Sequence, residues 1–296
     1  DMYAKCGVLG KAREVFDELP KRNIVSWNAL IAGYAQHGCS HEALKCFELM
    51  QDQGFVPNAI TFSCILKVCG SIGSIAVGER IHEEANKQGL LEENVVLGTA
   101  LLDMYAKCGV LVKAREVFEK LPRRNVVSWT ALIAGYTQHG YGDEALNCFK
   151  RMIDEGLSPN TVTFISILKA CSSVASLKMG EEIHGEVKKK GLLGDMVLGT
   201  ALVDMYAKCG VLIKAQEVFD ELPERNVVSW SALVSGYAQH GLGEEAVKYF
   251  HRMQAEGVSP NAITFVSILK ACGSIGSLNT GGEIHKEVTK QMLLED

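Results

Sequence analysis

Between residues 126 and 160 the apolar side chains recur at helical spacing. Trp129, Leu132, Ile133 and Tyr136 stand at i, i+3, i+4 and i+7, one stripe of a 3.6-residue helix. Ala145, Leu146, Phe149 and Met152 form a second stripe, with Asp143 and Glu144 in its first turn, where the helix dipole favours acids. Ser128 is placed to cap the first helix and Gly140 with Gly142 to end it. Gly156 closes the second helix and Pro159 blocks its continuation. The pattern predicts a pair of antiparallel helices. One such hairpin cannot bury its stripes alone, so it needs neighbours of the same kind.

Neighbours of that kind fill the chain. The segment DMYAKCGVL occurs at Asp1, Asp103 and Asp204, and the tryptophans Trp27, Trp129 and Trp230 are spaced by 102 and 101 residues. The prolines keep the same period, Pro20, Pro122 and Pro223 in one set and Pro57, Pro159 and Pro260 in the other. Each long period divides into three shorter units. The cuts fall at 24–58, 59–94 and 95–125, then 126–160, 161–195 and 196–226, then 227–261 and 262–296. Residues 1–23 are the tail of one more 31-residue unit without its first eight residues. Asp1 therefore falls inside a helix, the chain reads as a fragment, and its lack of a targeting segment carries no weight. The expected fold is all-α: a right-handed α-solenoid superhelix of stacked helix-turn-helix repeats, about 17 helices and no strand.

Composition narrows the function. Apolar residues make up 47% of the 296-residue chain and charged residues 22%, a core-forming balance. The apolar runs are too short to span a membrane. A net charge of −5 excludes a protein that grips nucleic acid by charge alone, though not one that reads bases. The ten cysteines are sparse for a disulfide scaffold and have no zinc-ligand spacing. Most recur at fixed phases (Cys6, Cys108 and Cys209; Cys69, Cys171 and Cys272; Cys46 and Cys148), as reduced, buried small residues would; Cys39 and Cys64 are unmatched and expected to be partly exposed. The triplets His82-x-Glu84, His184-x-Glu186 and His285-x-Glu287 match half of a zinc deaminase signature, but no C-x-x-C accompanies them and their recurrence marks them as structural. Gly140-x-Gly142-x-x-Ala145 and Gly241-x-Gly243-x-x-Ala246 mimic a dinucleotide fingerprint, yet they follow helices and carry acids where a pyrophosphate would sit. With no nucleophile–base pair and no P-loop, the chain reads as a non-enzyme without metal or cofactor.

The stripe of Trp27, Leu30, Tyr34, Ala43 and Phe47 overlaps the tetratricopeptide pattern, whose uniform 34-residue units would make a peptide-binding scaffold. Here the unit lengths rotate through about 35, 35 and 31. The three kinds of unit read NVVSWTALIAGY…EALNCFKRMIDEGLSPN, TFISILKACSSVASLKMGEEIH and LGTALVDMYAKCG…KAQEVFDELPERN. Over its whole length the chain resembles the pentatricopeptide repeat family, in the PLS subclass of land-plant organelles. On that pattern 24–58, 126–160 and 227–261 are P units, 59–94, 161–195 and 262–296 L units, and 95–125, 196–226 and the truncated 1–23 S units.

The resemblance implies binding of single-stranded RNA at one base per unit, read by the fifth and last residues of each unit. For the P units these are Asn28 with Asn58, Thr130 with Asn160 and Ser231 with Asn261; for the S units, Thr99 with Asn125 and Thr200 with Asn226. The L units give Ser63 with Asn94, Ile165 with Asp195 and Val266 with Asp296. A small aliphatic residue at position two is implied to sandwich the base: Val25, Val96, Val127, Val197 and Val228, with Ile60, Val162 and Ile263 in the L units. The implied order is 5′-Y-N-A-A-N-A-A-N-3′. The residues themselves point the same way, since scaffold positions barely vary while position five of the P and S units varies among Asn, Thr and Ser. Lys5, Lys107 and Lys208 recur at position 13 of the S units, where they could meet phosphates. Ile165 and Val266 cannot hydrogen-bond a base, and in the family L units contact accessory proteins, the multiple organellar RNA editing factors. The chain has no C-terminal E or DYW extension, so any cytidine deamination is expected from a missing segment or another chain. The family also implies a mitochondrial or chloroplast location.

Overall fold

A computed structural model of the chain describes residues 1–92 and 94–292. Among the described residues there are eighteen helices and no strand, in two compact units. The first unit, Asp1–Ser158, holds α1 (Met2–Lys5), α2 (Leu9–Asp17), α3 (Ile24–Gln36), α4 (Ser40–Asp52), α5 (Ala59–Ile72), α6 (Ile75–Lys87), α7 (Val95–Lys107), α8 (Leu111–Lys120), α9 (Val126–Gln138) and α10 (Gly142–Asp154). The second, Pro159–Asp296, holds α11 (Thr161–Val174), α12 (Leu177–Lys189), α13 (Met196–Lys208), α14 (Leu212–Glu221), α15 (Val227–Gln239), α16 (Gly243–Ala255), α17 (Ala262–Ile275) and α18 (Leu278–Met292). The one helix beyond the expected count is α1, four residues of a first helix at the start of the chain.

Within each unit the odd-numbered helices stack on one another in order, α1 to α9 and α11 to α17. Each even-numbered helix packs on the helix before it and, α10 and α18 apart, on the helix after it, but on no other even-numbered helix of its unit. A first helix is therefore enclosed on several sides: Leu97, Leu101, Leu102, Met104 and Tyr105 of α7 are all at most 1% exposed. A second helix is covered along one stripe, and in α10 that stripe is Ala145, Leu146, Phe149 and Met152. Each fully buried Leu, Met or Phe contributes about 1.5–3 kcal/mol, so the stack is stabilised chiefly by its first helices.

Neighbouring repeats meet through different side chains. Between α2 and α3, α8 and α9, and α14 and α15 the contact is aromatic: Phe16–Trp27, Phe118–Trp129 and Phe219–Trp230 are edge-on with centroids 4.5, 4.5 and 4.6 Å apart. Arginines close the latter two stacks, Arg124 over Phe118 and Arg151 over Trp129, Arg225 over Phe219 and Arg252 over Trp230. Between α6 and α7 the Met104 thioether lies over Gly78, and between α12 and α13 that of Met205 lies over Gly180. At the same junctions His82 Nδ1 lies 2.9 Å from the Tyr105 hydroxyl and His184 Nδ1 2.9 Å from that of Tyr206. Burial lowers the pKa of both histidines and pushes both tyrosines up to about 12, so these are neutral packing partners. The recurring H-x-E triplet thus places its histidine in a helix–helix contact.

Three local expectations change. Ser128 is the third residue of α9, and the helix is capped by Asn125, whose extended backbone lies just outside it. Gly142 does not end α9; it is the first residue of α10, and Gly140, at φ +81°, makes the turn between them. The Cys108 and Cys209 thiols are half-buried and Cys6 is exposed, because this phase falls at a helix C-terminus; Cys108 Sγ is 3.8 Å from the Cys69 carbonyl oxygen. The phase of Cys69, Cys171 and Cys272 is buried, as are Cys46 and Cys148, while Cys39 and Cys64 are half-buried. Burial pushes Cys69 and Cys148 up to about 11 and Cys171 to about 12, which removes their thiolate reactivity near neutral pH. Among the described residues no helix is long and apolar enough to cross a membrane, and no group of three His, Cys, Asp or Glu could hold a metal ion.

Candidate functional site

Every full first helix begins one residue after Asn or Asp. Asn23, Asn58, Asn94, Asn125, Asn160, Asp195, Asn226 and Asn261 are the N-caps of α3, α5, α7, α9, α11, α13, α15 and α17. In each, Oδ1 accepts from the backbone N–H three residues on, at 2.9–3.1 Å. These include seven of the expected last-position readers, which therefore also hold the helix start. Asp296 lies outside the described residues. Because backbone donors face Oδ1, the amide orientation of each capping Asn is determined, and Nδ2 is the atom left to meet a ligand. Asn226 Nδ2 lies 3.2 Å from Met196 Sδ.

Position two is the second residue of each of these helices, clear of the neighbouring helices. Val25, Ile60, Val96, Val127, Val162, Val197, Val228 and Ile263 are all 55–72% exposed. A single exposed valine needs no explanation, but eight aliphatic side chains at one phase, all exposed, are not accounted for by core packing. Position five lies one helical turn further on. Asn28, Thr130, Thr200 and Ser231 are buried there, Thr99, Ser63 and Ile165 are half-buried, and Val266 is exposed. The hydroxyls of Ser63, Thr130 and Ser231 donate to the carbonyl four residues back at 2.7, 2.6 and 2.6 Å. Thr99 Oγ1 and Thr200 Oγ1 are buried with no hydrogen-bond partner among the described residues.

The fifth and last residues meet within a unit. Asn28 Nδ2 donates to Asn58 Oδ1 at 3.2 Å, and the Ser231 hydroxyl lies 3.2 Å from Asn261 Oδ1. Thr99 and Asn125 line one groove of about 380 Å3 together with Val96, Val127, Ser63 and Lys67. Asn94 and Asp195 are caps whose fifth-position partners, Ser63 and Ile165, are half-buried. Lys5, Lys107 and Lys208 are each paired with the aspartate four residues earlier, Asp1, Asp103 and Asp204, at 2.6, 2.7 and 2.8 Å. These exposed pairs reduce the positive charge such lysines offer a phosphate.

Two family models match the chain, the PPR repeat family over residues 22–71, 124–173 and 225–274 and the PPR repeat over 1–24, 99–126 and 200–227. The chain belongs to the PPR repeat family. It is 43% identical over 275 residues to the chloroplastic pentatricopeptide repeat-containing protein At4g18520 of Arabidopsis thaliana, covering 93% of this chain and 44% of the relative. It is 39% identical over 290 residues to the mitochondrial protein At1g06140 of the same plant, covering 98% of this chain and 52% of the relative. The chain thus spans about half the length of these relatives. Among solved structures it resembles maize PPR10, with a TM-score of 0.76 at 24% identity over 98% of this chain and 42% of that one. PPR10 in complex with an 18-nt psaJ RNA element gives a TM-score of 0.78 at 23% identity over 95% of this chain and 42% of that one. These likenesses establish the PPR helical-repeat fold.

Apart from Ser128, read as a cap, two sets of residues near these helix starts were not singled out in the sequence. The third residue of each following unit, Ser26, Ser128 and Ser229 or Thr61, Thr163 and Thr264, bonds to the capping Asn. Lys67, Lys169 and Lys270 are exposed at position nine of the L units, and Lys67 borders the groove. Recurrence at a fixed phase was the available signal for both sets. It passed unnoticed because Ser and Thr near a helix start are common first-turn residues.

Proposed function

We propose that this PPR chain is a sequence-specific reader of single-stranded RNA, one base per unit, with the unit boundaries and PLS arrangement read from the sequence. The observation that carries the reading is the row of eight exposed aliphatic side chains beside polar pairs at the same helix ends. A nucleobase has apolar faces and polar edges, so aliphatic walls above and below with hydrogen-bonding groups at the edge suit it. Val96 and Val127 flank the groove to which Thr99 and Asn125 contribute. The RNA held by PPR10 and the chloroplastic and mitochondrial relatives support an RNA partner and an organellar location.

The proposed order is 5′-Y-N-A-A-N-A-A-N-3′, and the array serves an RNA editing or processing factor. Cytidine deamination then belongs to a further segment or a separate chain, and this array is a scaffold without catalysis. A selection from randomised RNA on this chain tests the reading. Enrichment of adenine at the third, fourth, sixth and seventh bases is expected, and enriched sequences without such a pattern would refute it.

The L units are proposed to dock a multiple organellar RNA editing factor, because Ile165 and Val266 offer a base no hydrogen bond. Adding that factor should protect the exposed L-unit faces from hydrogen exchange and raise RNA affinity, since coupling between two ligands is reciprocal. RNA affinity unchanged at saturating factor would remove the idea. Charge leads to a separate expectation. With a net charge of −5 and its position-13 lysines already paired, the chain should neutralise few phosphates. The log–log dependence of affinity on salt should be shallow, and a slope of about −6 would show that phosphate contacts dominate.

A further inference from the structure

At six unit junctions the residue three after the capping Asn completes a capping box, but the hydroxyl bonds in two different ways. Where an S unit precedes a P unit, that residue is serine. Ser26, Ser128 and Ser229 donate to the backbone carbonyl of Asn23, Asn125 and Asn226 at 2.8, 2.9 and 2.9 Å. Where a P unit precedes an L unit, it is threonine. The hydroxyls of Thr61, Thr163 and Thr264 lie 3.1, 2.9 and 2.9 Å from Oδ1 of Asn58, Asn160 and Asn261. All three threonines are 0% exposed. The β-branched side chain has fewer χ1 wells than serine, which helps hold its hydroxyl on the Asn side chain.

Two of these threonines also reach the other reading residue of the P unit. Thr61 Oγ1 donates to Asn28 Oδ1 at 2.6 Å, and Thr264 Oγ1 is 2.7 Å from Ser231 Oγ. In the S units the fifth-position hydroxyls of Thr99 and Thr200 have no such partner among the described residues. The pairs Asn28 with Asn58 and Ser231 with Asn261 are therefore wired through a buried hydroxyl of the next unit, and the S-unit pairs are not. Oδ1 of Asn58 accepts from the Ile60 and Thr61 N–H groups and from Asn28 Nδ2, and Oδ1 of Asn261 accepts from the Thr264 N–H. The acceptor is thereby engaged at the helix start, and the side chain offers a base its Nδ2 donor in a fixed orientation.

We propose that the third-position threonines Thr61 and Thr264 are positioning residues for base discrimination by the P unit that precedes each. This rests on the RNA-reading function proposed above. The experiment uses the full chain and sets of four short single-stranded RNAs that differ at one base. Thr264→Val should reduce the preference for adenine at the seventh base about two- to tenfold, the range expected for losing one hydrogen bond. Thr264→Ser keeps the hydroxyl and should stay within about twofold of wild type. Preference at the sixth base, assigned to Thr200 and Asn226, should not change in either variant. Thr61→Val repeats the reading at the first base, so loss of fold in one variant leaves the other decisive.

Equal weakening of all four RNAs, or a preference unchanged by valine, would reduce these threonines to a purely structural role and overturn the proposal. A sixth-base preference that falls in parallel would do the same. Wild-type protein with no preference at the first and seventh bases would instead sink the RNA-reading function itself.

Discussion

Asn160→Asp should switch the base preferred at the fourth position from adenine to guanine. Adenine offers an acceptor at N1 and a donor at N6, whereas guanine presents the donors N1–H and N2–H2, which suit a carboxylate. The capping role makes the substitution a clean one. Asn160 Oδ1 accepts from the Thr163 N–H at 2.9 Å, and Asp195 makes the same contact to Leu198 N at 2.9 Å at the start of α13. Asn and Asp cap equally well, and a negative charge at a helix N-terminus is favourable, so the fold should hold. What changes is the second terminal atom, from an N–H donor to an oxygen acceptor. A well-placed base contact discriminates by about 1–3 kcal/mol, so the swing in relative affinity should be at least several-fold. Asn160→Ala, by contrast, should cost about 1 kcal/mol of stability through the lost cap. Paired RNAs differing at the fourth base, titrated against wild type and the Asp variant, provide the measurement. An Asp variant that still prefers adenine would leave Asn160 with its capping role alone.

Gly135→Ala should destabilise the first unit although alanine is the better helix former. A Cβ at Gly135 would stand 2.6 Å from the Ala106 Cβ and 3.2 Å from its Cα, so α7 and α9 would have to move apart. Overpacking of this kind costs about 1–3 kcal/mol, enough to offset the roughly 1 kcal/mol gained in helix propensity. The same approach recurs at Gly33 against Ala4 and at Gly236 against Ala207, each at 2.6 Å. Moving the methyl across the contact offers a sharper reading. Ala106→Gly combined with Gly135→Ala should be less destabilised than the sum of the single changes, by about 0.5–3 kcal/mol of coupling. Hydrogen exchange in α7 and α9 is the appropriate probe, because a repeat array need not melt in one step. Strict additivity would show that the two positions do not share one space.

The architecture was legible because an exact period survives any uncertainty about single helices. Trp27, Trp129 and Trp230, the six prolines and the apolar stripes mark the helix pairs, since one hairpin cannot bury both stripes without another like it. The row of position-two aliphatics came from the family resemblance, and what the structure adds is their exposure. The stripe of Trp27, Leu30 and Tyr34 placed Leu30 in the core, and in the structure Val25 of the same helix is 70% exposed against 3% for Leu30. That difference depends on which side of the helix its neighbours occupy. The capping residue was also misassigned, to Ser128 instead of Asn125. Both are good caps, and only backbone geometry distinguishes the residue just outside a helix from the one three positions inside.

Local chemistry and periodicity sufficed to determine the helices, their pairing and the family. Those features depend on residues near one another in the chain and on repetition. Tertiary structure decided what crosses from one unit to the next: Thr61 against Asn28, Thr264 against Ser231, Met104 over Gly78, His82 against Tyr105. Each of those pairs joins residues more than 20 positions apart. Which partner a buried hydroxyl, thioether or imidazole finds depends on how two helices are placed against each other. Hydrophobic periodicity specifies which face of a helix is buried but not the atom that meets it there.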